Sequence, residues 1–191
     1  MALDEVKGMN IAQVIEYRGS HPDSKDRTFF MYYDDEGELQ EVSFSHFLKM
    51  SLAYARVIHH LKRQQGRGED ARFHVGFYMQ NTPEVVFAFG GCAFTNSTLV
   101  GINNAQVGQH LAVNAKNMDV DVLFVDEVDQ PKSGRTFLES VKEAHELYDL
   151  SGLYPQYVIA RKRQARHHPT QVATIAEMLE ISGHKDFRPT P

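Results

Sequence analysis

With 191 residues, the chain is long enough to bury one good core, and its make-up of 42% hydrophobic, 24% charged and 10% aromatic residues is that of a globular domain. A formal charge of -5 gives no general attraction to nucleic acid or anionic lipid. No apolar run approaches the roughly 18 residues of a membrane span, and the polar start MALDEVKGMN lacks a signal peptide's charged and apolar regions. The expectation is a cytoplasmic protein with no nucleic-acid partner. The single cysteine, Cys92, can form no internal disulfide and fits a reducing compartment.

In chain order, Ile11, Val14, Ile15 and Tyr17 predict a short amphipathic helix near the N-terminus. A hairpin follows. Thr28 to Tyr33 (TFFMYY) is aromatic and β-favouring, DDEG supplies turn chemistry with Gly37 available for positive φ, and Leu39 to Val42 returns antiparallel. Ser43 stands where a helix N-cap would, and Phe44, Phe47, Leu48, Leu52, Ala55, Ile58 and Leu61 recur at three- and four-residue steps. That predicts a long helix ending near Gly66. The polar segment RQQGRGEDAR then reads as a surface loop.

From Phe73 to Asp126 the chain carries a strand-helix-strand-helix-strand unit. Phe73, Val75, Phe77 and Met79 alternate with His74, Gly76, Tyr78 and Gln80, the period-two signature of a strand. Asn81 or Thr82 is placed to cap the next helix, with Pro83 in its first turn and Glu84 near the positive end of its dipole. Val85, Val86, Phe89 and Cys92 or Ala93 make its predicted inner face. The small residues Ala88, Gly90, Gly91 and Ala93 would let it lie close to a sheet.

Thr98 to Ile102 is a second strand. Val107 to Met118 is a helix with Leu111, Val113 and Met118 as apolar contacts, and Val120 to Val125 is a third strand. Phe137, Val141, Ala144, Leu147 and Tyr148 continue as a helix, Tyr157 to Ala160 as a fourth strand, and Gln171 to Ile181 as a last helix beyond the basic loop RKRQARHHPT. Strands separated by helices of this length imply right-handed crossovers. The fold class is therefore α/β: a parallel sheet with helices on both faces, plus an N-terminal antiparallel hairpin, in one domain over 1–191.

Several stretches together resemble one family. They are the hairpin TFFMYYDDEGELQEVSF with its following helix, the run VGFYMQNTPEVVFAFGGCAFTNSTLVGIN with its Asn-x-Pro-Glu helix start, the strand MDVDVLFVDE, and the helix PTQVATIAEMLE. In order and spacing they are similar to the N-terminal subdomain of AMP-forming acyl-CoA synthetases of the adenylate-forming superfamily, nearest to fatty-acyl-CoA ligases. The resemblance covers roughly Asp26 to Glu180. It implies a parent enzyme that uses ATP, Mg²⁺ and CoA to turn a carboxylic acid into an acyl-adenylate and then an acyl-CoA. It also implies a Ser/Thr/Gly-rich phosphate loop ending in Pro-Lys, which these 191 residues lack; PKSGRT at Pro131 to Thr136 has neither the glycine spacing nor the terminal lysine. The expectation is an incomplete N-terminal portion of a larger adenylate-forming domain, with no catalytic residue, no metal ligand and no cofactor of its own. Its partner would be the remainder of the parent chain, or another copy through an exposed apolar face. A free-standing α/β module that binds a nucleotide or a protein is the alternative.

Each residue that invites a functional reading also has a structural one. Asn81, Thr82 and Glu84 stand at the carboxyl end of a strand, where open α/β sheets bind ligands, but helix capping accounts for them. Gly101, Asn103 and Asn104 follow the next strand end, where a turn with unusual φ suffices. Cys92 lies on an apolar helix stripe and reads as a packed small hydrophobe. The pairs His59-His60 and His167-His168 lack further ligands at metal spacing, since adjacent helix residues point about 100° apart. Arg161, Lys162, Arg163 and Arg166 could grip a phosphate such as that of CoA, and a solvated loop is the plain alternative. Asp126, Glu127 and Asp129 read as surface carboxylates.

Overall fold

The computed structural model describes residues 3–34, 36–126, 129–130, 134–148, 157–161 and 172–174. Helix α1 spans Ile11–Ser20 and opens with a capping box in which Asn10 Oδ1 accepts from the Gln13 N–H and Gln13 Oε1 from the Asn10 N–H, both at 2.9 Å. Strands β1 (Thr28–Tyr33) and β2 (Leu39–Ser43) form the predicted hairpin, with Gly37 at φ 81° in the turn. Helix α2 runs Phe44–Gln64, capped by Ser43 Oγ accepting from the His46 N–H, and Gly66 follows at φ 67°.

The remaining elements are β3 (His74–Tyr78), α3 (Pro83–Phe94), β4 (Thr98–Gly101), α4 (Gly108–Asn117), β5 (Val122–Asp126), α5 (Phe137–Tyr148), β6 (Tyr157–Arg161) and β7 (Val172–Thr174). The five strands β3 to β7 form one parallel sheet in the order β4-β3-β5-β6-β7. The chain leaves β3 toward one edge to make β4, then returns past β3 to make β5. Right-handed crossovers on these two opposite moves put α3 and α4 on opposite faces of the sheet.

The core divides accordingly. Val75, Phe77, Val122 and Phe124 point to a cluster shared with α1, α2, α3 and the hairpin. Tyr78, Leu123 and Val125 point to the other, shared with α4 and α5. The period-two pattern of β3 therefore separates one buried face from another, and all of its residues are buried.

Packing departs from the sequence expectations in several places. The small residues of α3 accommodate helix α2 rather than the sheet: a Cβ on Gly90 would lie 2.0 Å from Ser51 Oγ, and one on Gly91 2.7 Å from Tyr54 Cβ. That close approach turns Phe89 outward, where it is 42% exposed. On α4 the buried residues are Leu111, Ala112 and Ala115. Val113, two steps and about 200° from Leu111, faces outward, as does Met118 beyond the helix end. Ile11, first in its helix, is also exposed. The helix predicted over Gln171 to Ile181 is instead a strand at Val172–Thr174, because main-chain pairing with β6 takes up this β-branched stretch; the rest of that prediction lies outside the described residues. Among the described residues, no helix is long and apolar enough to cross a membrane.

Candidate functional site

Strand order reverses between β3 and β5, and open α/β sheets take ligands in the crevice beyond the carboxyl ends of strands at such a point. Here β3 runs through Met79 into Gln80, while β5 ends at Asp126. The Gln80 N–H donates to Asp126 Oδ2, and Gln80 Nε2 to the Asp129 carbonyl, both at 3.2 Å. Asp126 is fully buried, not the surface carboxylate the sequence suggested, because it closes an internal strand flanked by β3 and β6. Asp129 is exposed as expected, and Glu127 lies outside the described residues.

Beside this crevice, residues 30–34 of the hairpin and 80–86 of the β3–α3 connection enclose a groove of about 570 Å³. Thr82 occupies the N-cap position of α3 and Pro83 its first turn, but the Thr82 side chain makes no cap hydrogen bond. Capping by Asn81 or Thr82 is therefore corrected to a proline-led helix start whose N–H demand is already reduced at the first position. Thr82 Oγ1 and Glu84 Oε2 are buried with no hydrogen-bond partner among the described residues. Burial first, then the nearby carboxylates of Glu84 and Asp126, push the Tyr54 phenol well above its ordinary range. The other carboxylate at the groove is occupied with its own turn. Asp34 accepts from the Glu36 and Glu38 N–H groups and from Gln40 Nε2, and the Glu38 bond above all holds it below the usual aspartate value against some desolvation.

A second polar cluster fills the end of the sheet toward α4 and α5. Gln130 Nε2 donates to Tyr78 Oη at 2.7 Å and to the Asn104 carbonyl at 2.6 Å. Ser140 Oγ donates to Gln130 Oε1 at 2.7 Å, and the Tyr78 hydroxyl donates to the Gln106 carbonyl. Tyr78, Gln130 and Ser140 are buried, so the network ties the loop after β4 to the start of α5. Gly101 ends β4 and Asn103 and Asn104 lie in the loop after it, and none of them has positive φ. The turn is made instead by Asn103 Oδ1 accepting from the Ala105 N–H at 2.9 Å.

Among the described residues, the other predicted ones do not assemble into a site. Cys92 is buried and its thiol is pushed up to about 12 by desolvation, as befits a packed small hydrophobe. His59 lies 3.8 Å from Glu69, while burial, then Arg63 and His59, hold His60 below its ordinary value. No group of three metal-ligating side chains occurs among the described residues. Gly134 takes φ 68° and Arg135 pairs with Glu143, so this part of PKSGRT is a polar turn before α5; residues 131–133 lie outside the described residues. Arg161 ends β6, whereas Lys162, Arg163, Arg166, His167 and His168 lie outside the described residues.

Near the other end of the sheet lie two buried polar residues for which the sequence alone suggested no role, Lys62 and His74. Lys62, four residues after Ile58 on the buried stripe of α2, donates to the carbonyls of Glu69 at 2.6 Å and Thr95 at 3.0 Å. Its spacing was the available signal. His74 Nε2 accepts from Arg72 Nε at 2.6 Å, which leaves Nδ1–H to donate to the Met118 carbonyl at 2.7 Å. These bonds tie loops to strands and place no reactive group in the crevice.

Among the described residues, the groove is lined by aromatic rings and the carboxylates of Asp34 and Glu84, with no lysine or arginine. Phosphate oxygens need convergent N–H donors and cations, and the described lining supplies no cation for them.

Residues 20–178 match the family described as AMP-binding enzyme. A curated protein described as a steroid-22-oyl-CoA synthetase, from Rhodococcus jostii (strain RHA1), is 30% identical over 87 residues, which are 46% of this chain and 15% of that protein. The crystal structure of the anthranilate CoA ligase AuaEII in complex with anthranoyl-AMP superposes with a TM-score of 0.63 at 15% identity, over 90% of this chain and 28% of that one. At that identity the likeness shows a shared α/β fold. The matched parts are thus 15% of the curated relative's length and 28% of the solved ligase's. With the family match running through the hairpin, the central strands and the helices on both faces, the chain belongs to the AMP-binding enzyme family.

Proposed function

We propose that this chain is the N-terminal α/β portion of an AMP-forming acid-CoA ligase, whose intact parent activates a carboxylic acid, a fatty acid on the motif resemblance, and passes it to CoA. The observation that carries the reading is the family match over residues 20–178 on a sheet that itself superposes on an acid-CoA ligase. ATP, Mg²⁺ and CoA belong to the parent's reaction, and no step through them is assigned to residues of this chain. Its own contribution is a framework: Asp126 and Gln80 fix the end of β3 against β5, and the Tyr78, Gln130 and Ser140 network fixes the adjacent loop. In the parent, the remainder of the polypeptide covers the exposed face of the hairpin. A cytoplasmic location goes with this reading, supported by the lone buried Cys92.

Pyrophosphate release tests it. The 191-residue chain, supplied with ATP, Mg²⁺, CoA and saturated fatty acids of several lengths, is expected to release none, whereas the gene's reading frame is expected to run on into a Thr/Ser/Gly-rich loop ending in Pro-Lys. Turnover by the isolated chain overturns the framework reading. A stop codon directly after Pro191 transfers support to the free-standing binding module, for which the groove at residues 80–86 is the available surface.

A further inference from the structure

Helix α2 buries Phe47, Tyr54, Ala55, Ile58 and Leu61 in the core it shares with α1, α3 and the hairpin. Its opposite side carries a repeat. Lys49, Arg56 and Arg63 follow one another at seven-residue steps, which set them about 10 Å apart along the helix axis and only about 20° apart around it. Ala53 and His60, also seven residues apart, lie between them. The result is a stripe about 21 Å long. Lys49 and Arg63 are exposed, while Ala53, Arg56 and His60 are partly so.

Nothing within the helix neutralises this stripe. The 21 residues of α2 include no Asp or Glu, and among the described residues Lys49, Arg56 and Arg63 make no ion pair. The nearest approach of a carboxylate to α2 in an ion pair is at the margin of the stripe, where His59 lies 3.8 Å from Glu69. Solvated helix faces usually mix charges of both signs at three- and four-residue steps, and this one does not. The chain as a whole carries a charge of -5, but exposed charges more than about 10 Å away are largely screened at 0.1 M salt. A partner lying on this face therefore meets the stripe and not the net charge.

We propose that the exposed face of α2 docks on an anionic lipid bilayer, with Lys49, Arg56 and Arg63 turned toward the headgroups. Charge selects an anionic partner, and the rest of the stripe selects among anionic partners. A protein interface is centred on apolar or aromatic anchors, and the stripe offers only Ala53. A single-stranded nucleic acid stacks its bases on aromatic rings between the cations, and no Phe, Tyr or Trp stands there. A bilayer surface requires neither, because its potential acts on each long, flexible cation without a preset partner. Each Lys or Arg near such a surface raises partitioning about fivefold, so three raise it about a hundredfold. The contact uses α2 alone and holds whether or not the parent is an acid-CoA ligase.

Co-sedimentation of the 191-residue chain with vesicles tests this, using phosphatidylcholine containing about one-third phosphatidylglycerol, with pure phosphatidylcholine as the reference. The chain is expected to partition onto the anionic vesicles at least about tenfold more strongly at low salt, and to be released as salt rises. Lys49→Gln, Arg56→Gln and Arg63→Gln keep side-chain length and helix propensity, so each is expected to weaken binding about fivefold with an unchanged circular dichroism spectrum. Lys116→Gln, on α4 across the sheet, is expected to leave binding unchanged. Equal partitioning onto both kinds of vesicle, no partitioning at low salt, stripe variants that bind like the parent chain, or a loss at Lys116→Gln as large as theirs overturns the proposal. Retention of the chain by duplex RNA in place of the vesicles overturns it too, by giving the face to a nucleic acid.

Discussion

Thr82 carries a hydroxyl that is buried, stands at a helix N-terminus and caps nothing. A threonine that caps costs about 1 kcal/mol to remove, whereas an orphaned buried hydroxyl already costs about 1–3 kcal/mol of desolvation. The second effect wins here, so Thr82→Val, which keeps the shape and deletes the hydroxyl, is expected to raise the urea midpoint. A lowered midpoint would show that the hydroxyl has a partner after all. His60 gives a pH signature. Its native pKa is depressed below the ordinary 6.5 chiefly by burial, so the native state binds fewer protons than the unfolded state between those two values. Stability therefore falls as pH drops through 6.5 toward the native pKa, and the penalty is complete below it. Urea unfolding of His60→Leu at pH 7 and pH 5 is expected to lose less stability than the parent chain does; equal losses would remove His60 from the account.

At the scale of elements, the contact between α2 and α3 decides the shape of the face that carries the hairpin. Gly90→Ala would gain about 1 kcal/mol of helix propensity in isolation. The new Cβ would meet Ser51 Oγ at 2.0 Å and Ser51 Cβ at 2.6 Å, a clash that overpacking data put at about 1–3 kcal/mol. The clash wins, and chemical denaturation is expected to show a net loss; a stabilised Gly90→Ala would mean that the helices separate freely.

The same pair of helices marks what the sequence could convey. The apolar spacing of α2 and the alternation in β3 were legible because local geometry alone produces them. That Gly90 and Gly91 face a helix rather than the sheet was not, since a small residue records a close approach without naming its partner. Asp126 was misread for a related reason: a carboxylate at the end of an apolar strand is exposed or buried according to its neighbouring strands, and those are set by topology. Val172 to Thr174 resembled a helix by spacing until pairing with β6 claimed it. Of the site, the strand-end position of Asn81, Thr82 and Glu84 was visible, whereas the opposing wall from the hairpin arises only on folding.

For the whole molecule, the strand order places a crevice between the ends of β3 and β5, where relatives of this architecture bind ligands, and the chain lines the neighbouring groove with carboxylates and aromatic rings. The proposed function takes that combination as a framework, with the phosphate-carrying residues elsewhere in the parent. Calorimetric titration of the 191-residue chain with ATP-Mg²⁺, AMP and CoA, each to millimolar concentration, tests this most directly. The account predicts no saturable heat with either adenine nucleotide, and any weak CoA signal should vanish when Arg161, Lys162, Arg163 and Arg166 are replaced by serine. Saturable binding of ATP or AMP would contradict it, because the nucleotide site would then be built from residues assigned here to structure.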